Sequence, residues 1–89
     1  MKNRRMRFLR EKHGIPLLEL SRYSDASQQR LAQIELGTGS ATGHMNRLVE
    51  TAFARLVATK RRELAALEED LQKHGKHLLD FVDKLEGDA

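Results

Sequence analysis

The chain has 89 residues, a net charge of +3 and no cysteine. This length is enough for one small domain with an appendage, and without cysteine the chain has no disulfide framework and no thiolate metal site. No apolar run approaches the roughly 20 residues of a membrane span, so no membrane partner is expected. Aromatic residues make up only 4% of the chain, which disfavours a stacking platform for single-stranded nucleic acid.

The charge is distributed unevenly along the chain. Residues 1–42 hold eight Lys or Arg against four Asp or Glu, a net charge of +4, whereas residues 43–89 hold eight against nine, a net charge of −1. A basic front half and a balanced back half indicate different tasks. We expect the front half to face a polyanion and the back half to face protein.

The first two predicted elements are short helices. The stretch 3–13 reads as a helix that Asn3 caps and that Gly14 ends, because glycine favours the position after a helix C-terminus. Pro16 opens a second helix, where its missing N–H costs nothing. This second helix is predicted to end near residues 24–25.

A third helix and a long fourth helix follow. Ser27 is the predicted N-cap of a helix over 28–36 that Gly37 stops, and Thr42 can cap the helix after it. Three short helices with a tight turn between the second and third have the geometry of a helix-turn-helix. We therefore predict an all-α fold, with a helix-turn-helix domain of about four helices over 1–56 and a long helical dimerisation segment over 57–89.

The fourth helix carries a heptad seam from residue 57 onwards. Seven of its nine seam positions are apolar, and so narrow a seam on a strongly charged helix is typical of a coiled coil. The alternative is one amphipathic helix that packs back on its own domain. The residues assigned to dimerisation are Val57, Leu64, Leu67, Leu71, Leu78, Phe81 and Leu85.

The direction of helix pairing stays open from the sequence. The basic cluster 60–62 and the acidic cluster 68–70 would pair across an antiparallel crossing near Ala65. Parallel pairing would place like charges side by side. A break at Gly75 or a fold-back near Thr59 would shorten the span between the two helix starts of an antiparallel dimer.

The third helix carries amide and guanidinium side chains that suit base recognition. Glutamine can donate and accept paired hydrogen bonds at adenine, and arginine can donate two to guanine. The alternative is a polar helix face that is merely solvated. The candidate side chains are Gln28, Gln29, Arg30 and Gln33.

Residues 9–37 resemble the Cro/C1-type (XRE) helix-turn-helix family, with the helix spacings kept without a gap. The recognition helix is similar to that of lambdoid phage repressors, which read adenine-rich half-sites. The motifs that carry the resemblance are Leu9-Arg10, Gly14-Ile15, Glu19-Leu20, Ser27 and Ile34-Glu35-Leu36-Gly37.

The resemblance implies roles for individual side chains. It assigns Gln28, Gln29 and Gln33 to base edges. It implies that Arg10 and Glu35 form a partly buried structural ion pair. It also assigns a further set to base or phosphate contacts, namely Ser27, Arg30, Thr38 and Ser40.

The chain departs from the family pattern at four positions. Leu17 stands where the family usually has a glutamine that touches phosphate, and Asp25 stands where it often has glycine, with Ser24 at the apolar position before it. Leu36 replaces a common asparagine. Fewer phosphate contacts are therefore expected.

The resemblance implies a homodimeric transcriptional repressor that binds an inverted-repeat operator in double-stranded DNA, in the cytoplasm and associated with the nucleoid. The alternatives are an antitoxin-type partner or a protein-interaction module whose C-terminal helix binds another helical protein. No nucleophile–base pair or carboxylate dyad indicates an enzyme, and no cofactor is implied. His74 and His77 lack a third ligand at fitting spacing, so no metal site is expected.

Overall fold

The computed structural model describes residues 3–37 and 41–82, and over these ranges it contains four α-helices and no strand. It confirms the predicted all-α fold with a long C-terminal helix. None of the helices within these ranges is long and apolar enough to cross a membrane. The helices are α1 (Arg5–Lys12), α2 (Leu17–Ser21), α3 (Gln28–Leu36) and α4 (Gly43–His74).

Local hydrogen bonds define where α3 and α4 begin. The Ser27 hydroxyl accepts from the Arg30 amide at 3.1 Å, and the Thr42 hydroxyl accepts from the Met45 amide at 3.1 Å. Each cap satisfies one of the amides that a helix N-terminus leaves without a partner. Gly14, which follows α1, has a φ of +65°, a conformation that glycine adopts without steric cost.

Two helix ends differ from the prediction. α1 begins at Arg5, after Arg4 in extended conformation and without a side-chain cap, so Asn3 does not cap it. α2 ends at Ser21 because the next three amides bond to carbonyls only three residues back, which is the tighter pattern that closes many helices.

The hydrophobic core lies where α2 packs against α3 and α4. Leu20 and Leu31 are fully buried at its centre. Burial of one such side chain stabilises the fold by about 1.5–3 kcal/mol. The remaining buried apolar side chains are Met6, Ile34, Ala52 and Leu56.

The second half of α4 extends beyond this core. Every residue from Lys60 to Val82 is exposed, and no fold-back occurs at Thr59, since α4 continues to His74. The exposed apolar side chains along this half include Val57, Leu64, Leu67 and Leu71.

The predicted helix over 57–89 is too long at its C-terminal end. α4 ends at His74, and residues 75–82 are not helical, so Leu78 and Phe81 lie beyond the helix. Gly75 stands at the end, and glycine costs a helix interior about 1 kcal/mol relative to alanine. Leu78 and Phe81 are exposed, so no burial of these apolar side chains compensates for the cost of a helical Gly75. Leu85 lies outside the described residues.

Candidate nucleic-acid interface

The polar face of α3 points into solvent. Leu31 and Ile34 on the opposite face are buried, and they fix the rotation of α3 about its axis. The five described residues that the sequence assigned to DNA contact are all exposed, and the protein itself does not cover them. They are Ser27, Gln28, Gln29, Arg30 and Gln33.

A partly buried ion pair fastens α3 to α1. The Arg10 guanidinium donates from Nε to Glu35 Oε2 at 3.0 Å and from Nη2 to Glu35 Oε1 at 2.6 Å. The side chains are 13% and 6% exposed, respectively. The hydrogen bond to Glu35 raises the pKa of Arg10 above its ordinary value. This is the ion pair that the family resemblance implied.

The same guanidinium also holds the turn between α1 and α2. Arg10 Nη1 donates to the Ile15 carbonyl at 3.0 Å, while the Ile15 amide donates to the Arg10 carbonyl at 2.8 Å. One side chain therefore connects α1, the following turn and the C-terminal end of α3. A two-point contact of this kind restricts geometry more than a point charge does.

All four acids between residues 3 and 37 are engaged in ion pairs. Glu35 pairs with Arg10 as described above, and Asp25 pairs with Arg55 of α4. Because each carboxylate lies beside a cation, this part of the front domain, residues 1–56, presents less negative charge than its composition implies. The other two pairs are Glu11 with Arg7 at 3.0 Å and Glu19 with Lys60 at 3.1 Å.

Arg55 of α4 restrains the turn between α2 and α3. Its Nη1 donates to Asp25 Oδ1 at 2.9 Å and to the Tyr23 carbonyl at 3.3 Å. The hydrogen bond from Arg55 lowers the pKa of Asp25 below its ordinary value. Asp25, the unusual residue of this turn, is thus tied to α4. The sequence analysis missed this contact, because the two residues lie 30 positions apart.

Several cations of the front domain stay exposed and form no ion pair with any residue of the described ranges. They lie on α1, beside α2 and on α3. Such a set of cations is the electrostatic footprint expected of a polyanion-binding surface. They are Arg5, Lys12, Arg22 and Arg30.

The other departures from the family pattern have different structural outcomes. Leu17 is half-buried and packs against the core, so the first residue of α2 serves packing. Leu36 is exposed at the end of α3. Thr38 and Ser40, predicted to contact base or phosphate, lie outside the described residues.

An apolar groove runs between α1 and α4, a feature that the sequence analysis did not identify. It encloses about 670 Å³. Its basic lining side chains include Arg5 from α1 and Lys60 and Arg61 from α4. Its apolar lining includes Leu9, Ile15, Val49, Phe53, Val57 and Leu64.

Lys60 has partners within its own chain. It lies 3.1 Å from Glu19 of α2 and 3.8 Å from Glu63 of α4. The hydrogen bond to Glu19 raises the pKa of Lys60 above its ordinary value. The sequence analysis had placed Lys60 in a cluster that pairs between chains, but here it helps to hold α2 against α4.

Within the described residues, no group of three His, Cys, Asp or Glu side chains could hold a metal ion.

Comparison with known proteins finds no matching family, no matching curated protein and no matching solved structure.

Proposed function

We propose that this protein is a sequence-specific regulator of transcription that binds double-stranded DNA as a homodimer through α3. One observation carries the proposal. The amide-bearing face of α3 is wholly exposed, while its opposite face is buried and its end is held by the Arg10–Glu35 pair. A helix that recognises a base sequence needs both properties, because its side chains must reach the base edges and must be held in a fixed orientation.

The dimensions of α3 suit the major groove. The nine residues of α3 give a short helix about 13 Å long. The major groove is about 12 Å wide, which is enough to admit one helix. Gln28 and Gln29 begin α3, and the first residues of a recognition helix are those that reach base edges in a helix-turn-helix. Glutamine favours adenine there, so we propose an adenine-rich half-site.

Charge supports binding to a polyanion. The four acids of residues 3–37 are paired, and the exposed cations Arg5, Lys12, Arg22 and Arg30 are available to phosphates. Each phosphate contact releases counterions and steepens the loss of affinity with salt. A dimer seated on an inverted repeat would block RNA polymerase sterically, which makes repression the proposed outcome.

The test is selection of bound sequences from random duplex DNA, followed by substitution at α3. We expect an adenine-rich inverted repeat. Gln28→Ala should weaken binding by about 1–3 kcal/mol and relax preference at one base position. Gln72→Ala makes the same chemical change on the distal half of α4 and should leave both affinity and preference unchanged. An unaltered preference after Gln28→Ala would remove that residue from the interface.

A second candidate function is a protein-interaction module or antitoxin-type partner. The exposed seam side chains Leu64, Leu67 and Leu71 favour it, as does the use of Leu17 for packing. The salt dependence of binding to mixed-sequence DNA separates the two. A DNA-binding protein with several phosphate contacts loses affinity steeply between low and physiological salt, whereas a platform for another helical protein shows no measurable DNA binding at either.

A further inference from the structure

We propose that a second copy of this chain packs antiparallel along α4, and that its residues 75–82 occupy the apolar groove between α1 and α4. This inference rests on the homodimer of the proposed function and specifies its interface. The two surfaces involved are the groove and the exposed tail, residues 75–82. In the tail, Phe81 is fully exposed (103%) and Leu78 is 63% exposed.

The groove and the seam are one continuous surface. Phe53, Val57 and Leu64 line the groove, and their spacing of four and seven residues places them on the same helix stripe as Leu67 and Leu71. A partner helix that follows the seam therefore runs into the groove without changing direction.

The antiparallel register follows from heptad geometry. In antiparallel coiled coils the two kinds of seam position face each other, so Leu64 can face Lys60, Leu67 or His74 of the second copy. Leu67 is the apolar one of the three, and we take that register. The same register sets Val57 opposite His74 of the second copy. The tail of the second copy then begins beside Val57, a groove residue, so that its Leu78 can enter the groove.

The charges favour this arrangement over a parallel one. Arg61 and Glu68 have no ion-pair partner among the described residues, and the antiparallel register sets each beside the other twice, by symmetry. A parallel dimer would instead stack Lys60 on Lys60 and His74 on His74. Glu63 does approach Asp70 of the second copy, but Lys60 lies 3.8 Å from Glu63 on the same helix and offsets that charge.

The tail does not fill the groove of its own chain, since Leu78 and Phe81 are exposed. Phe53 lies 21 residues before His74, a separation of about 32 Å along a helix. Leu78 is four residues past His74 and reaches at most about 14 Å from it. A Leu78 side chain beside Phe53 must therefore come from another molecule.

Cysteine cross-linking tests the orientation without background, since the chain has no cysteine of its own. Val57→Cys and His74→Cys chains, each checked for helical content, are mixed in equal amounts and mildly oxidised without DNA. We expect the mixed 57–74 disulfide to exceed the 57–57 disulfide about tenfold, because only the mixed pair lies within bonding distance. An excess of 57–57 disulfide would overturn the proposal, as would a chain that stays monomeric in sedimentation equilibrium.

The tail is tested by Leu78→Ala with Phe81→Ala, which removes its two apolar side chains together. We expect the dimer dissociation constant to rise at least about tenfold. Phe8→Ala removes an equally large exposed side chain from α1, outside the groove, and should leave dimerisation unchanged. A dimer unaffected by the tail variant would overturn the groove assignment. Both measurements exclude DNA, so failure of base recognition at α3 would leave them unaffected.

Discussion

The front domain and the distal half of α4 are both helical, but they are stabilised in different ways. In the front domain, short helices bury shared side chains such as Leu20 and Leu31. In the distal half, every residue from Lys60 to Val82 is exposed. The comparison shows that the front domain carries its own core, whereas the distal seam has the pattern of a surface that a partner covers.

Local interactions explain how the distal helix exists at all. Its turns are continuous with the packed N-terminal half of α4, so the costly nucleation step is already complete. The Lys73–Glu69 pair at 3.5 Å adds an i,i+4 contact, worth about 0.2–0.5 kcal/mol. Such increments stabilise the helix without burying its apolar side chains.

The largest expected effect separates the buried ion pair from an exposed one. Glu35→Ala should lower the free energy of unfolding by about 3–5 kcal/mol, because it strands the Arg10 guanidinium in a mostly buried site. Glu11→Ala breaks the Arg7 pair, where the acid is 61% exposed, and should cost at most about 0.5 kcal/mol. Thermal and denaturant melts measure both. DNA binding lost by Glu35→Ala with an unchanged melt would contradict a structural role.

The second prediction compares two leucines, one in the front domain and one in the distal half of α4. Leu31→Ala should destabilise the fold by about 2–5 kcal/mol through lost burial and a cavity. Leu71→Ala, in the exposed seam, should leave the melt of the monomer unchanged at high dilution and weaken self-association at higher concentration. Denaturant titration and sedimentation equilibrium provide the two readouts. Equal losses of monomer stability would remove the contrast between the regions.

A smaller effect is expected at the start of α3. Ser27→Ala should destabilise the protein by about 1 kcal/mol, because the Arg30 amide loses its capping acceptor. Ser27→Asp supplies another strong capping group and should restore most of that stability. Chemical denaturation gives both values. If the two variants are equally unstable, the hydroxyl does not act as a cap.

The smallest effect concerns the link between Asp25 and Arg55, whose pair is exposed. Because Arg55 lowers the pKa of Asp25, the pair stabilises the fold above the unfolded pKa of about 3.9, and that stability is lost as the pH falls through the lower folded pKa. At low salt, the melting temperature of Asp25→Asn should therefore lie slightly below that of the unaltered protein near neutral pH, and the difference should vanish in strong acid. A difference that persists unchanged in acid would exclude this pair as its source.

The sequence by itself determined the features that depend on neighbouring residues. Ser27, Thr42 and Gly14 mark helix boundaries because caps and glycine turns act within a few positions. The division of α3 into a buried face with Leu31 and an exposed face with Gln28 follows equally from helical periodicity. These local signals were sufficient for the all-α fold and for the exposure of the candidate interface.

Only the tertiary structure decided how distant residues meet. The pairs of Asp25 with Arg55 and of Glu19 with Lys60 join residues 30 or more positions apart, and no periodicity specifies which charges become neighbours. The groove between α1 and α4 arises in the same way. The seam pattern also ran past Gly75, where the helix stops, because a heptad reports which side chains are apolar and cannot report whether anything is present to bury them.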